Sequence, residues 1–142
     1  MSQEIGSQLP PPLQFELGAH PTGGAPKAVL LLTTDADGHF RVAVLGAPEL
    51  RVKDASHLEF AVHADSTTGA NLTRSGTGAL WYVLDAAAYC IRGTVGGSQG
   101  PPLPHADSNS QEFQTFELTV VSVLMDFQPS APMVSGPTYR RL

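Results

Sequence analysis

The residues whose types and spacing could do chemistry are few, and each must be tested against the element that would carry it. Gly96-Gly97-Ser98-Gln99-Gly100 has the Gly-x-Ser-x-Gly spacing of a nucleophilic serine. That motif works where a strand turns sharply into a helix and lifts the hydroxyl onto the turn. Here Pro101-Pro102 follow at once and block a helix, so Ser98 is not read as a nucleophile. Gly76-Thr77-Gly78 is half of a dinucleotide fingerprint. It precedes a strand-like run, so no helix N-terminus waits there for a pyrophosphate. The five histidines are His20, His39, His57, His63 and His105. They lack zinc-site spacing and no cysteine pair joins them; His63 and Asp65 stand just before the Ser66-Thr67-Thr68 turn, where metal binding is a weak option. Cys90 alternates along a strand and reads as a small core residue. Ser66-Thr67-Thr68 gathers three hydroxyls, and Ser66 can cap a helix over Thr67 to Arg74 that Gly76 ends. Asn71-Leu72-Thr73 has the form of a glycosylation acceptor, set aside because no secretion signal precedes it.

The elements that must position these residues are mostly strands. Ala28 to Thr33 is a short apolar run suited to a strand buried on both faces. Asp35-Ala36-Asp37-Gly38 then supplies a hairpin turn, since Gly tolerates positive φ. In the next run Phe40, Val42 and Val44 point one way and Arg41, Ala43 and Leu45 the other, and Pro48 stops it. Leu58, Phe60 and Val62 share a face of a third strand. Strands are also predicted over Thr77 to Leu84 and Tyr89 to Val95, with a tight connection at Asp85-Ala86-Ala87. Trp81 and Tyr82 read as core or interface packing. Gly96 to Ser110 reads as a loop. Gln111 to Phe127 reads as one long strand, with Phe116, Leu118, Val120 and Leu124 on one face and Val121, Val123, Met125 and Phe127 on the other. Apolar residues on both faces point to a partner subunit on the outer one. About six antiparallel strands with one or two short helices, joined by short connections, tend to close into a barrel.

The chain has 142 residues, enough for one domain with a core of its own. Residues 1–27 read as an N-terminal arm, in part flexible, 28–127 as the domain, and 128–142 as a tail ending in Tyr139-Arg140-Arg141-Leu142. A net charge of -5 argues against a general grip on nucleic acid. No apolar run is long enough to span a bilayer. A single cysteine cannot form an internal disulfide, and the start of the chain lacks a secretion layout, so a cytoplasmic location is expected.

From Val29 to Val95 the order of motifs resembles the pyridoxamine 5′-phosphate oxidase-like family of FMN-binding split barrels. The matching pieces are the hairpin Val29 to Val44 with Arg41, the turn and helix Ser66-Thr67-Thr68-Gly69-Ala70-Asn71-Leu72, the basic residue and turn Arg74-Ser75-Gly76, and Arg92-Gly93-Thr94-Val95. The resemblance implies a mainly β split barrel that forms a homodimer with FMN in two clefts at the interface. It assigns Arg41, Ser66, Thr67 and Thr68 to the cofactor phosphate, with Asn71 on the following helix. The strand backbone at Val42, Ala43 and Val44 would lie along the flavin ring. A phosphate suits hydroxyls, helix N-terminal N–H groups and a guanidinium. Many members carry Lys or Arg just after the turn; this chain has Thr68-Gly69, and Arg74 is the candidate to compensate. Two functions stay open: an FMN-dependent oxidoreductase or flavin reductase acting on an unknown small molecule or electron donor, and a non-catalytic binding module that has lost FMN or holds another planar ligand such as haem or a deazaflavin.

Overall fold

The computed structural model describes residues 2–18, 28–46, 49–101, 103, 113–128, 130 and 136. The readings made on Pro48, His20, His105 and the end of the tail lie outside the described residues. Eight strands and two helices are described: β1 (Ser2–Gly6), α1 (Pro11–Gly18), β2 (Val29–Thr34), β3 (Phe40–Leu45), β4 (Leu50–Asp54), β5 (His57–His63), α2 (Thr67–Ser75), β6 (Thr77–Leu84), β7 (Ala87–Gly97) and β8 (Phe113–Asp126). All pair antiparallel in one sheet of order β3-β2-β6-β7-β8-β5-β4, with β1 on the second half of β8. The sheet curls round its core, but β3 at one edge does not pair with β4 at the other. The barrel is therefore split, and a split β-barrel is what the sequence led to expect.

Local chemistry sets the hairpins. In the β2–β3 turn the Gly38 N–H donates to the Asp35 carbonyl at 2.9 Å, with Gly38 at φ 90°. Between β6 and β7, Asp85 (φ 50°) and Ala86 (φ 67°) both adopt the left-handed region. That is the two-residue turn whose twist matches the flanking strands, here without the usual Gly.

Four readings need correction. The segment expected to be a loose arm is anchored: β1 pairs with β8, and Leu9, Leu13 and Leu17 are buried in the main core. Leu13 and Leu17 sit one helical turn apart on α1, and burying each of these leucines contributes on the order of 2 kcal/mol. Strand β4 was missed because its run Leu50-Arg51-Val52-Lys53-Asp54 is too polar to stand out. Gly96 and Gly97 continue β7 opposite Glu117 and Phe116 instead of opening a loop. Finally, β8 carries a bulge. Arg92 pairs with Ser122 and Gly93 with Val120, so Val121 is the extra residue and the side-chain phase flips there. Phe116, Leu118 and Val120 point inward before it and Val123 after it, so Val123 takes the core place expected of Leu124.

The bulge and Gly93 go together. A Cβ at Gly93 would stand 2.7 Å from the Leu118 Cδ2 atom and closer still to the Thr119 carbonyl oxygen. Only glycine lets β7 cross β8 there.

Candidate functional site

The split leaves a recess of about 210 Å³ between Ala43, Val44 and Leu45 of β3 and Ala61, Val62 and His63 at the end of β5. The start of α2 stands over it, contributing Ser66 and Thr68, and Glu49 and Phe113 complete the wall. Because β3 pairs only with β2, half of its backbone N–H and C=O groups face the split. The His63 and Phe113 rings stack with centroids 4.4 Å apart, tilted by 30°, and line the opposite side.

Helix α2 has the ends that its sequence predicted. Ser66 is extended (φ -77°, ψ 152°) and its hydroxyl accepts from the Gly69 N–H at 3.0 Å. The same hydroxyl donates to the His63 carbonyl at 2.6 Å, so its one donor is committed to fixing the turn. Gly76 closes the helix at φ 66°, its N–H donating to the Leu72 carbonyl. Gly69 has a steric reason: a Cβ there would lie 3.3 Å from the His63 carbonyl oxygen and 3.4 Å from the Ser66 hydroxyl. The close fit of helix on strand end favours a residue without a side chain at this position.

The residues singled out from the sequence fall into two groups. Ala43, Val44, Ser66 and Thr68 line the recess. Thr67 is exposed on the first turn of α2, and Val42 faces the outer side of the sheet, 55% exposed. Arg41, Asn71 and Arg74 form a separate network, joined by a residue that sequence reasoning passed over. Asp35 Oδ1 accepts from Arg41 Nε at 2.8 Å and from Asn71 Nδ2 at 2.8 Å. Arg41 Nη2 reaches Asp35 Oδ2 at 3.4 Å. Asn71, buried at 1% exposure, also donates to Thr33 Oγ1 at 3.1 Å and accepts from Arg74 Nη1 at 3.0 Å. A second Arg74 nitrogen donates to the Thr34 carbonyl oxygen. Hydrogen bonds from Arg41, then from Asn71, hold the Asp35 carboxyl below its ordinary pKa. In the sequence Asp35 is a turn residue; only its place between strand end and helix reveals the second role. His63, Glu49 and Phe113 were likewise not assigned to the site, because they come from three distant stretches of chain.

Cys90 also differs from expectation; Trp81 pairs with it across β6 and β7. Both are half-buried on the outer face of the sheet, outside the main core, and neither lines the recess. Burial pushes the Cys90 thiol pKa up, which keeps it protonated and unreactive. Ser98 donates to the buried Glu59 carboxylate and stands on no strand-to-helix turn. Among the described residues no three His, Cys, Asp or Glu side chains group as metal ligands, and no helix is long and apolar enough to cross a membrane.

Against FMN these groups give a divided result. For a planar ring the recess offers a strand edge on one side and the His63–Phe113 ring pair on the other. To a phosphate the recess would offer the Thr68 hydroxyl at the start of α2, where the Gly69 N–H is already taken by Ser66, and no Lys or Arg lines the recess among the described residues. The guanidinium assigned to it is held by Asp35.

No protein-family profile matches the chain, and no curated protein matches it in sequence. Solved structures do match in shape. A pyridoxamine 5′-phosphate oxidase-type protein from Lactobacillus delbrueckii superposes with a TM-score of 0.64 at 19% identity, covering 84% of this chain and 97% of that one. An F420 reductase matches with a TM-score of 0.54 at 14% identity over 73% of this chain and 98% of its own. HutZ, the haem storage protein of Vibrio cholerae, matches with a TM-score of 0.55 at 13% identity over 69% and 84%. At such identities the likeness concerns the backbone, and on that ground this chain has the split-barrel fold of the pyridoxamine 5′-phosphate oxidase-like proteins.

Proposed function

We propose that this protein binds a planar, flavin-type cofactor in the split of its barrel, with FMN the first candidate, and that it works as a homodimer. The observation that carries the reading is the recess itself: a free strand edge at Ala43 to Leu45 faces an aromatic pair, His63 and Phe113, under the N-terminus of α2. A flat ring with hydrogen-bonding atoms along one edge is the ligand that such a slot suits. Backbone groups of β3 orient the ring. Thr68, at the start of α2, offers its hydroxyl to the neutral, hydroxyl-bearing part of the ligand's tail. The flavin, when bound, supplies hydride and electron transfer, which makes an oxidoreductase or flavin reductase acting on a small molecule the activity to look for.

The homodimer rests on the outer face. Phe40 (82% exposed), Val42 and Val44 form an apolar row along β3, and Val121 (57% exposed) stands at the far side. Between them lies a hollow of about 520 Å³ floored by Leu32, Ala79, Arg92 and Ser122, which are neighbours across four strands. Exposed large hydrophobic side chains in a contiguous set mark a surface that another protein covers. Val44 belongs to both this row and the recess, so a second copy seated here would close the ligand site.

A second reading is favoured by one observation: the Arg41 guanidinium is engaged by Asp35. On that reading the chain is a non-catalytic module for haem or a deazaflavin. An absorption spectrum of natively purified protein, followed by FMN and haem titrations, separates the two. Flavin bands or saturable quenching of FMN fluorescence support the first reading. A colourless protein that ignores FMN and develops a haem band on titration replaces it with the second.

A further inference from the structure

The recess, at about 210 Å³, is smaller than the roughly 300–1,000 Å³ of most small-molecule sites. A ligand with a ring and a tail must therefore extend beyond it, and both of its walls lead to the same place. On β3, Arg41 follows Ala43 on the same face, about 7 Å along the strand. On α2, Asn71 lies one turn beyond Thr68, about 4.5 Å along the axis. Asp35 stands between Arg41 and Asn71 and accepts from both. It meets Arg41 through two nitrogens, the fork geometry in which a guanidinium otherwise takes a phosphate. Asn71 has no donor to spare, since Nδ2 serves both Asp35 and Thr33. The recess adds a second carboxylate, Glu49, whose Oε2 accepts from the Gly46 N–H at 3.1 Å. An incoming phosphate would meet two like charges and a guanidinium already taken.

We infer that Asp35 determines ligand specificity at this site: it is a built-in counter-anion that takes the phosphate's place on Arg41, so the pocket selects a planar ligand by its ring and holds riboflavin as tightly as FMN. The inference rests on the flavin reading above. Asp35 touches Arg41 and Asn71, so it acts as a positioning residue, and its effect falls on the charged tail of the ligand alone.

The test is a pair of fluorescence titrations, riboflavin and FMN, on the wild-type protein, Asp35→Asn and Asp35→Ser, each at low and at high ionic strength. For the wild type the two dissociation constants should agree within about twofold, while Asp35→Asn should tighten FMN about tenfold or more and leave riboflavin unchanged, because a freed guanidinium can take the phosphate. The gain should shrink in high salt. Asp35→Ser removes the carboxylate without offering a new amide and should shift the ratio the same way. A wild-type protein that prefers FMN about tenfold already overturns the inference and leaves the flavin reading standing. So does an equal loss of both ligands in the variants, which would make Asp35 a structural tie only. If the wild type ignores both flavins, the flavin reading falls and takes this inference with it.

Discussion

Glu59→Gln is the substitution that most directly tests the packing on the outer side of β5. Glu59 sits at 1% exposure, yet it carries a carboxylate. Its Oε1 accepts from Arg51 Nε at 3.1 Å and Nη2 at 2.9 Å, and its Oε2 accepts from the Ser98 hydroxyl. Arg51 Nη2 also donates to the Pro101 carbonyl at 2.9 Å, and the Gly100 N–H donates to Ser98 Oγ at 3.1 Å. The carboxylate thus straps residues 98–101 across β5, and Leu103 lands in a small cluster with Ala61 and Phe113, the latter a wall of the recess. Removing one partner of a fully buried ion pair costs about 3–5 kcal/mol. Arg51 is 31% exposed and can turn to water, so the cost should fall to about 2 kcal/mol, or roughly 6 °C in Tm. Burial by itself raises the Glu59 pKa, but the hydrogen bonds from Ser98 and Arg51 and the Arg51 charge outweigh it, and the net shift is downward from 4.5. A depressed native pKa means that the stabilisation is present above the unfolded pKa and is lost as pH falls through the native one. Urea unfolding of the wild type and the variant across the acid range should therefore give curves that separate at neutral pH and converge at the acid end. A gap that stays constant with pH would refute the electrostatic argument. No gap at neutral pH would mean that the strap contributes nothing. Hydrogen exchange at residues 98–101 should quicken in the variant if the strap loosens.

Three other outcomes follow from the geometry. Gly93→Ala places a methyl group against the Thr119 carbonyl and Leu118 and should cost about 3 kcal/mol or more, read as a drop in the urea midpoint. Ala86→Gly relieves a non-glycine residue at φ 67° in the β6–β7 turn and should raise stability by about 0.5–1 kcal/mol in the same assay; an unchanged midpoint would show that the turn is unstrained. Phe40→Ser combined with Val42→Thr removes two side chains of the exposed β3 row. Sedimentation should show the wild type at twice the mass of this variant, and a wild type already monomeric would remove the homodimer from the reading.

The sequence by itself determined whatever depends on neighbours along the chain. The Leu58-Phe60-Val62 alternation located β5, because a strand has period two. Asp37-Gly38 located the first hairpin, because the turn needs a residue that tolerates positive φ. Ser66 and Gly76 marked the two ends of α2 to within a residue, because caps satisfy the helix's own orphan groups. The pattern of these pieces led only to an antiparallel barrel; the resemblance of their order to a known family is what pointed to a split one. What only the tertiary structure decided involves partners far apart in sequence. Leu9, Leu13 and Leu17 look like part of a polar, proline-rich arm until β4 and the barrel interior stand beside them. Val123 replaces Leu124 in the core because of a bulge that exists only where β7 crosses β8 at Gly93. Arg41 reads as a free phosphate ligand until Asp35, six residues earlier, is seen to reach it while also accepting from Asn71 on α2. Strand periodicity and caps are short-range and survive in any one segment of sequence. The charge state of the site depends on which carboxylate the fold brings to which guanidinium, and that is settled only when β2, β3 and α2 meet.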